Sequence, residues 1–290
     1  MSAEHTGANH ISAKLYALGA IALWATLATL GLALKHVPPF LLTGLALVIG
    51  SVPAWPLARQ WRVPTGTLAV GVYGLFGFHF LLFLALRIAP PVEANLVNYL
   101  WPLFIVVLAP VILPGMRLTA AHVGAALAGF AGAAIAILGG SNVAGPAAGG
   151  GSWGYLLALG SALIWATYSL LTRRLPAFPT AAVGLFGLVS GGLSLLCHWA
   201  LEPATALSAK DWLLIGVMGL GPLGAAFFLW DKALKTGDAR QIGILSYITP
   251  LASTALLLLA TGRPLSWSIG LAAVLIIGAA LVGTRSDGQS

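Results

Sequence analysis

Between Asn95 and Pro110 an apolar run of membrane length carries Asn95, Asn98, Tyr99, Trp101 and Pro102 where a lipid-facing helix would carry Leu and Val. On a helix of period 3.6, Asn95, Asn98 and Pro102 share one face and Tyr99 and Trp101 flank it. An amide in hydrocarbon costs free energy unless a neighbouring helix or trapped water satisfies it, so this face points at protein or at a cavity. The chemistry on offer is recognition: amide, hydroxyl and indole groups that pair with a small solute.

His79, in Gly77-Phe78-His79-Phe80, lies near the middle of another apolar run. Lining a cavity it would pair with a ligand carboxylate or amine, or relay a proton; as a packing residue it would be satisfied by a helix carbonyl. Trp24 and Trp165 also fall inside apolar runs, whereas Trp55, Trp61, Trp153, Trp199, Trp212 and Trp267 fall near their ends, as an interfacial belt does. Inside the runs, indoles either pack helices or wall a pocket for flat apolar solutes. Pro102 and Pro250 each remove a helix hydrogen bond, which fits either a hinge or an ordinary membrane proline.

Other chemistries find no support. The seven acidic residues avoid mid-membrane positions: Glu93 opens a run and Asp231 closes one beside Lys232. That disfavours a proton-for-cation drug exchanger with a buried carboxylate. There is no HExxH, GxSxG or P-loop pattern, and Ser161 or Ser246 near His79 would make a nucleophile pair only within hydrogen-bond reach. Cys197 is the one cysteine, so neither a disulfide framework nor a multi-cysteine metal site is expected, and no cofactor is implied.

The elements that must position these residues follow from composition. Of 290 residues 59% are hydrophobic and 7% charged, against about 25% charged in soluble domains, and mean hydropathy is +0.96. The net charge of +7 is spread singly between apolar runs, which excludes a nucleic-acid surface. Ten runs of about 20 residues are expected to be transmembrane helices: 15–34, 40–58, 67–87, 92–113, 118–138, 153–172, 180–200, 211–231, 241–260 and 265–284. The polar start lacks a cleavage site, so the first run is expected to be a retained span.

Lys14, Arg59, Arg62, Arg117, Arg173, Arg174, Lys232, Lys235, Arg240 and Arg285 fall on one side, and Lys35, Arg87, Lys210 and Arg263 on the other. This bias places both termini in the cytoplasm. The chain then divides into a cytoplasmic tail 1–14, a five-span unit 15–138, a Gly-rich periplasmic linker 139–152, a second five-span unit 153–284 and a cytoplasmic tail 285–290. The units repeat: Trp24-Ala25-Thr26 aligns with Trp165-Ala166-Thr167, Ala85-Leu86-Arg87 with Ala233-Leu234-Lys235, and Asn98, Tyr99 and Pro102 with Ser246, Tyr247 and Pro250 at an offset of 148. Five is odd, so the second unit enters from the opposite side and the repeat is inverted, an architecture that rocks about a midplane site.

Each unit carries an apolar span, a proline, a Gly-containing turn and a Gly-rich closing span, Pro102 through Gly115 to Gly139 and Pro250 through Gly262 to Gly283. In this order the chain resembles the drug/metabolite transporter superfamily, specifically its ten-span EamA-type exporters, over nearly its whole length. The run Asn95-Leu96-Val97-Asn98-Tyr99-Leu100-Trp101-Pro102 is similar to the aromatic amino acid exporters called YddG. Many superfamily members place Glu after the turn glycine, where Met116 and Arg263 stand here.

The resemblance implies an all-α integral membrane protein of the bacterial inner membrane that exports aromatic and other apolar amino acids, with His79, Tyr99 and Trp101 lining a central cavity. Adding the residue-level reading, the expected substrate-binding set is His79, Trp101, Tyr99, Asn98, Trp24, Trp165, Ser246 and Tyr247, with Pro102 and Pro250 as hinges. Expected partners are an amino acid and the lipid bilayer; a monomer is compatible. Export of amphipathic drugs or another metabolite on the same fold is the alternative. A non-transporting membrane scaffold, which would be a solid bundle, is the other.

Overall fold

The computed structural model describes residues 2–140, 153–262 and 267–285, with side chains over 11–139, 153–262 and 267–283. Among these residues the chain is helical throughout. Nine helical segments are long and apolar enough to cross a bilayer: α1 Ile11–Ala33, α2 Pro39–Trp61, α3 Thr65–Ile88, α4 Pro91–Ile112, α5 Ala120–Gly139, α6 Trp153–Arg174, α7 Ala182–Leu201, α8 Ala209–Thr236 and α9 Ala239–Ala260. A shorter tenth, α10, spans Trp267–Gly283.

Every expected run is therefore a helix, with shifted ends. The first helix reaches back to Ser2, since no proline interrupts the polar stretch expected as a tail. The eighth runs to Thr236, because the charged side chains of its last turn find partners on neighbouring segments. Linker residues 141–152, Arg263 and the final residues 286–290 lie outside the described residues.

Starts and stops have local causes. Pro38, Pro64 and Pro90 each stand just before a helix, where a missing N–H costs nothing. Ser208 and Asp211 form a reciprocal capping box at the start of α8, and Asp238 accepts from the backbone N–H groups of Arg240 and Gln241 at the start of α9. Gly115 (φ 83°) and Gly262 (φ 68°) close α4 and α9 in the left-handed conformation that glycine adopts without strain.

Irregularities in four of the segments fall in pairs. The α4 helix breaks at Tyr99–Leu100, between Pro91–Asn98 and Trp101–Ile112; α9 breaks at Ser246–Tyr247, between Ala239–Leu245 and Ile248–Ala260. Pro102 and Pro250 stand just beyond these breaks, where each lacks the N–H that a continuous helix would direct at Asn98 O or Ser246 O. At the second break Ser246 O instead accepts from Thr249 N at 3.0 Å. The α3 helix widens into a π-turn over Tyr73–Gly77 and α8 over Gly221–Ala225, 148 residues apart.

The packing is paired as well. The α2 helix lies along α7, α5 along α10 and α4 against α9; α1 meets α8 and α9, as α6 meets α3 and α4; α2 meets α8, as α7 meets α3. Exchanging each segment for the one five places away leaves this set unchanged. The α5–α9 contact has no α4–α10 counterpart of comparable extent. Close approach rests on small residues: a Cβ on Gly50 of α2 would sit 2.6 Å from Gly219 O of α8.

Indole exposure separates the two classes of tryptophan. Trp199 and Trp267 are 84% and 81% exposed, and Trp55, Trp153 and Trp212 are exposed with them, whereas Trp24, Trp101, Trp165 and Trp230 are at most 7% exposed. Trp61 departs from the belt expectation and packs against Gly184 of α7.

Candidate functional site

A cavity of about 650 Å³ enters the bundle from one end, within the range of about 300–1,000 Å³ typical of small-molecule sites. Its wall runs from Trp24, Trp101 and Trp165 at mid-depth, past His79, Asn98 and Tyr99, to Gly31, Leu86 and Pro91 where α1 and α3 finish and α4 begins. The same end holds Glu202, and the opposite end holds Arg240.

Each polar side chain of the wall is aimed by its own segment. His79 stands two residues beyond the π-turn of α3, and its Nδ1–H donates to Leu75 O at 2.6 Å. A carbonyl only accepts, so Nδ1 carries the proton and neutral His79 keeps Nε2 as an acceptor. Asn98 ends the first half of α4; its Oδ1 accepts from Ser161 Oγ at 2.8 Å, which leaves the amide NH₂ as the donating half. Asn95 is half-buried one turn earlier. Ser161 is thus committed to Asn98, with Ala158 O equally near at 2.8 Å, and His79 to Leu75, so the imagined serine–histidine nucleophile pair does not form.

The inner wall is aromatic. Trp24 lies 6.5 Å from Trp101, 5.8 Å from Trp165 and 5.2 Å from Trp230 between ring centroids, edge-on or tilted in each case. Its Nε1–H donates to Pro222 O at 3.0 Å, inside the α8 π-turn, which pins the ring across the bundle. Phe78 lies 5.2 Å from Trp165, and Phe227 lies 6.3 Å from His79. Neither Trp101 nor Trp165 makes a side-chain hydrogen bond among the described residues, which leaves two indole N–H donors at the cavity.

Of the eight residues expected to bind substrate, His79, Asn98, Tyr99, Trp24, Trp101 and Trp165 come together on this wall. Ser246 and Tyr247 do not. Ser246 is fully buried with its hydroxyl donated to Gly243 O, and Tyr247 is fully buried against Gly129 of α5 and the α10 face. The break at Ser246–Tyr247 turns both away, and the next turn of α9 presents Thr249 and Ser253 instead. Pro102 and Pro250 are buried beside the breaks and are not among the residues of this cavity wall.

The spacing reading missed Phe227 and Trp230. Both were legible in principle, since Phe227 stands 148 residues after His79 and Trp230 one turn further along α8. Trp230 packs behind the wall, its ring 5.2 Å from Trp24 and 5.6 Å from Trp101, and donates to Ser169 Oγ at 3.1 Å.

The two ends differ. At the open end, Glu202 is fully enclosed and accepts from Phe40 N (3.0 Å) and Leu41 N (3.1 Å) of α2, pairs with Arg87 of α3 (2.6 Å) and meets His198 of α7 (2.9 Å). At the closed end, cations tie segments together through carbonyls: Arg173 to Gly237 O at 2.7 Å, Lys235 to Phe178 O at 2.8 Å, and Arg240 to Arg117 O. Arg240 also pairs with Asp238 at 2.6 Å. Burial alone would raise the Asp238 carboxyl, but the hydrogen bonds and charge of Arg240 outweigh it and hold it below the usual carboxylate range.

Among the described residues no Asp, Glu, Lys or Arg lines the cavity. The arrangement offers an apolar slot with neutral donors and acceptors, His79, Asn95, Asn98 and Tyr99 among them on the α3 and α4 side.

The sequence profile of the EamA-like transporter family matches residues 11–138 and then 152–284. The chain belongs to the EamA-like transporter family. A relative from Ancylobacter novellus, named aromatic amino acid exporter YddG, is 43% identical over 94% of this chain and 97% of its own. The protein of that name from Escherichia coli is 27% identical over 93% of this chain and 96% of its own. A solved crystal structure 42% identical in sequence superposes with a TM-score of 0.88, covering 94% of this chain and 96% of that one. In this EamA-like transporter the cavity, the paired helix breaks and the paired π-turns are thus features of a multi-pass membrane transporter.

Proposed function

We propose that the protein exports amino acids, chiefly aromatic and other apolar ones, across the bacterial inner membrane by alternating access around the tryptophan-walled cavity. The observation that carries this is the cavity's composition: three indoles and three phenyl rings facing a cluster of neutral polar groups, with room for one small molecule. The names of the full-length relatives point the same way.

A zwitterion fits the polar cluster without any fixed charge. The Asn98 NH₂ and the indole N–H groups of Trp101 and Trp165 supply donors for a carboxylate. His79 Nε2 and Asn95 supply acceptors for an ammonium. The break in α4 adds the positive end of one half-helix and the negative end of the other beside Asn98 and Trp101. The solid bundle required of a scaffold is not what the structure contains.

The units 15–138 and 153–284 are read as inverted repeats, supported by the two profile matches, the exchangeable packing and the paired π-turns. With both termini cytoplasmic by the basic-residue bias, the Glu202 end is periplasmic and the described conformation is outward-open. Breaking the carbonyl ties at the Arg240 end while closing the Glu202 end would present the solute to the other side, with Pro102 and Pro250 at the bends.

Proteoliposomes test this. They should exchange labelled tryptophan or phenylalanine, and Trp101→Ala should lower the rate at least about tenfold, the loss expected for one aromatic contact plus the cavity it leaves. Unchanged exchange in a folded Trp101→Ala protein would remove the site assignment.

A further inference from the structure

We propose that Asp231 and Lys235 form the site at which the inward-open protein first takes the zwitterionic head group of its amino acid; this rests on the inverted-repeat exporter reading above. The placement comes from the π-turns. Tyr73–Gly77 and Gly221–Ala225 lie 148 residues apart, and the same offset carries Phe83 to Asp231 and Arg87 to Lys235. The equivalence extends to contacts: Arg87 sits 5.6 Å over the Phe40 ring at the open end and Lys235 3.7 Å over the Phe178 ring at the closed end. Phe83 lines the open cavity. Its equivalent would line the inward one.

In the described conformation both charges are held by the segment joining α6 to α7. Asp231 is buried and accepts from Thr180 Oγ1 at 2.6 Å and from Lys235 Nζ at 2.7 Å, while Lys235 also donates to Phe178 O at 2.8 Å. Opening the closed end on the pattern of the open one parts this segment from α8. The two bonds to it are lost together, and a carboxylate and an ammonium four residues apart on one helix face are left at the new mouth. Residues so spaced are neighbours, about 5–6 Å between Cβ atoms. An incoming α-ammonium then replaces Thr180 at Asp231, and the α-carboxylate replaces the Phe178 carbonyl at Lys235.

On α3 at the outer mouth no acid stands four residues before the base. Phe83 stands in place of the acid, and Arg87 is already engaged by Glu202. A one-helix carboxylate–ammonium pair would then receive the solute on the side from which an exporter loads, while at the release side Arg87 is already engaged by Glu202.

Sided proteoliposomes separate this role from that of a strut. The readout is KM at the face bearing the N terminus for tryptophan, for indole-3-propionate, which lacks the ammonium, and for tryptamine, which lacks the carboxylate. Asp231→Asn should raise the tryptophan KM at that face about ten- to a hundred-fold, the worth of a hydrogen bond to a charged group. It should leave the indole-3-propionate KM and the opposite-face KM for tryptophan unchanged, and Asp231→Glu should restore the tryptophan value. Lys235→Met should raise KM for tryptophan and indole-3-propionate and spare tryptamine. Thr180→Val, which loosens the segment without removing a charge, should leave the ratio of tryptophan to indole-3-propionate KM as it is. An Asp231→Asn protein that slows all solutes alike at an unchanged KM ratio, or a Thr180→Val protein that shifts the ratio as Asp231→Asn does, overturns the proposal alone. Unaltered protein that moves none of the three overturns the exporter reading and this one with it.

Discussion

His79 and Phe227 stand two residues beyond matching π-turns, 148 residues apart, with ring centroids 6.3 Å from each other across the cavity. One helix thus presents an imidazole where its counterpart presents a phenyl ring, and the site is chemically one-sided on a two-fold frame. On the exporter reading this one-sidedness would orient a zwitterion, since His79 Nε2 and the Asn95 carbonyl both lie with α3 and α4.

Replacing His79 by phenylalanine makes the two positions alike and removes the Nε2 acceptor while keeping an aromatic ring. Tryptophan KM in counterflow should rise about tenfold, the value of one hydrogen bond to a charged group, with the fold intact. A His79→Phe protein with an unaltered KM would show that the imidazole serves packing through Leu75 alone.

Glu202 joins three segments that frame the open mouth. Its carboxylate accepts the two N-terminal N–H groups of α2, where the helix dipole favours an anion, and pairs with Arg87 of α3. Glu202→Ala strands those N–H groups and leaves Arg87 facing none of its present partner's oxygens. We expect a loss of about 2–3 kcal/mol, seen as a lower melting temperature in detergent. A melting temperature within a degree of the unaltered protein would mean that water replaces the carboxylate at no cost.

The ten helices were legible because lipid permits almost nothing else: runs of apolar length with few charges have one stable form. Asn98, Trp101 and His79 were legible for the same reason, as groups a lipid-facing position cannot hold. Ser246 and Tyr247 lie off this cavity because the offset that equates them with Asn98 and Tyr99 equates positions in the chain, not surroundings. The cavity occupies one end only, so the equivalents at the other end are packed against Gly129 and the α9 backbone. Thr249 and Ser253 were hidden by the helix break, which resets the 3.6-residue count on which a face is read. Trp230 was hidden by its neighbours Asp231 and Lys232, which make it look like one more tryptophan at a span end.

Asp238 gives the closed end a pH dependence whose sign follows from its carboxyl lying below the usual range, burial being outweighed by Arg240. A depressed carboxylate stabilises the fold above its unfolded pKa of about 3.9, and the contribution is lost as pH falls through the lower folded value. Melting temperature should therefore fall more steeply below about pH 4 in the unaltered protein than in Asp238→Asn, while the two run parallel from about pH 5 to 8. Parallel curves down to about pH 2 would place the Asp238–Arg240 pair outside the stability of the folded state.

Thr249 separates stability from binding by the sign of its effects. Among the described residues its buried hydroxyl has no hydrogen-bond partner, on a residue that lines the cavity. A desolvated hydroxyl left unpaired costs about 1–3 kcal/mol, so the isosteric Thr249→Val should leave the melting temperature unchanged or raise it. If the hydroxyl is kept for the solute, the same change should raise the tryptophan KM several-fold in counterflow. Stability and affinity would then move in opposite directions from one atom, as expected of a group held unsatisfied for a ligand. A Thr249→Val protein that melts earlier and transports with the same KM would instead make Thr249 part of the α9 packing, and the solute would be held by α3 and α4 alone.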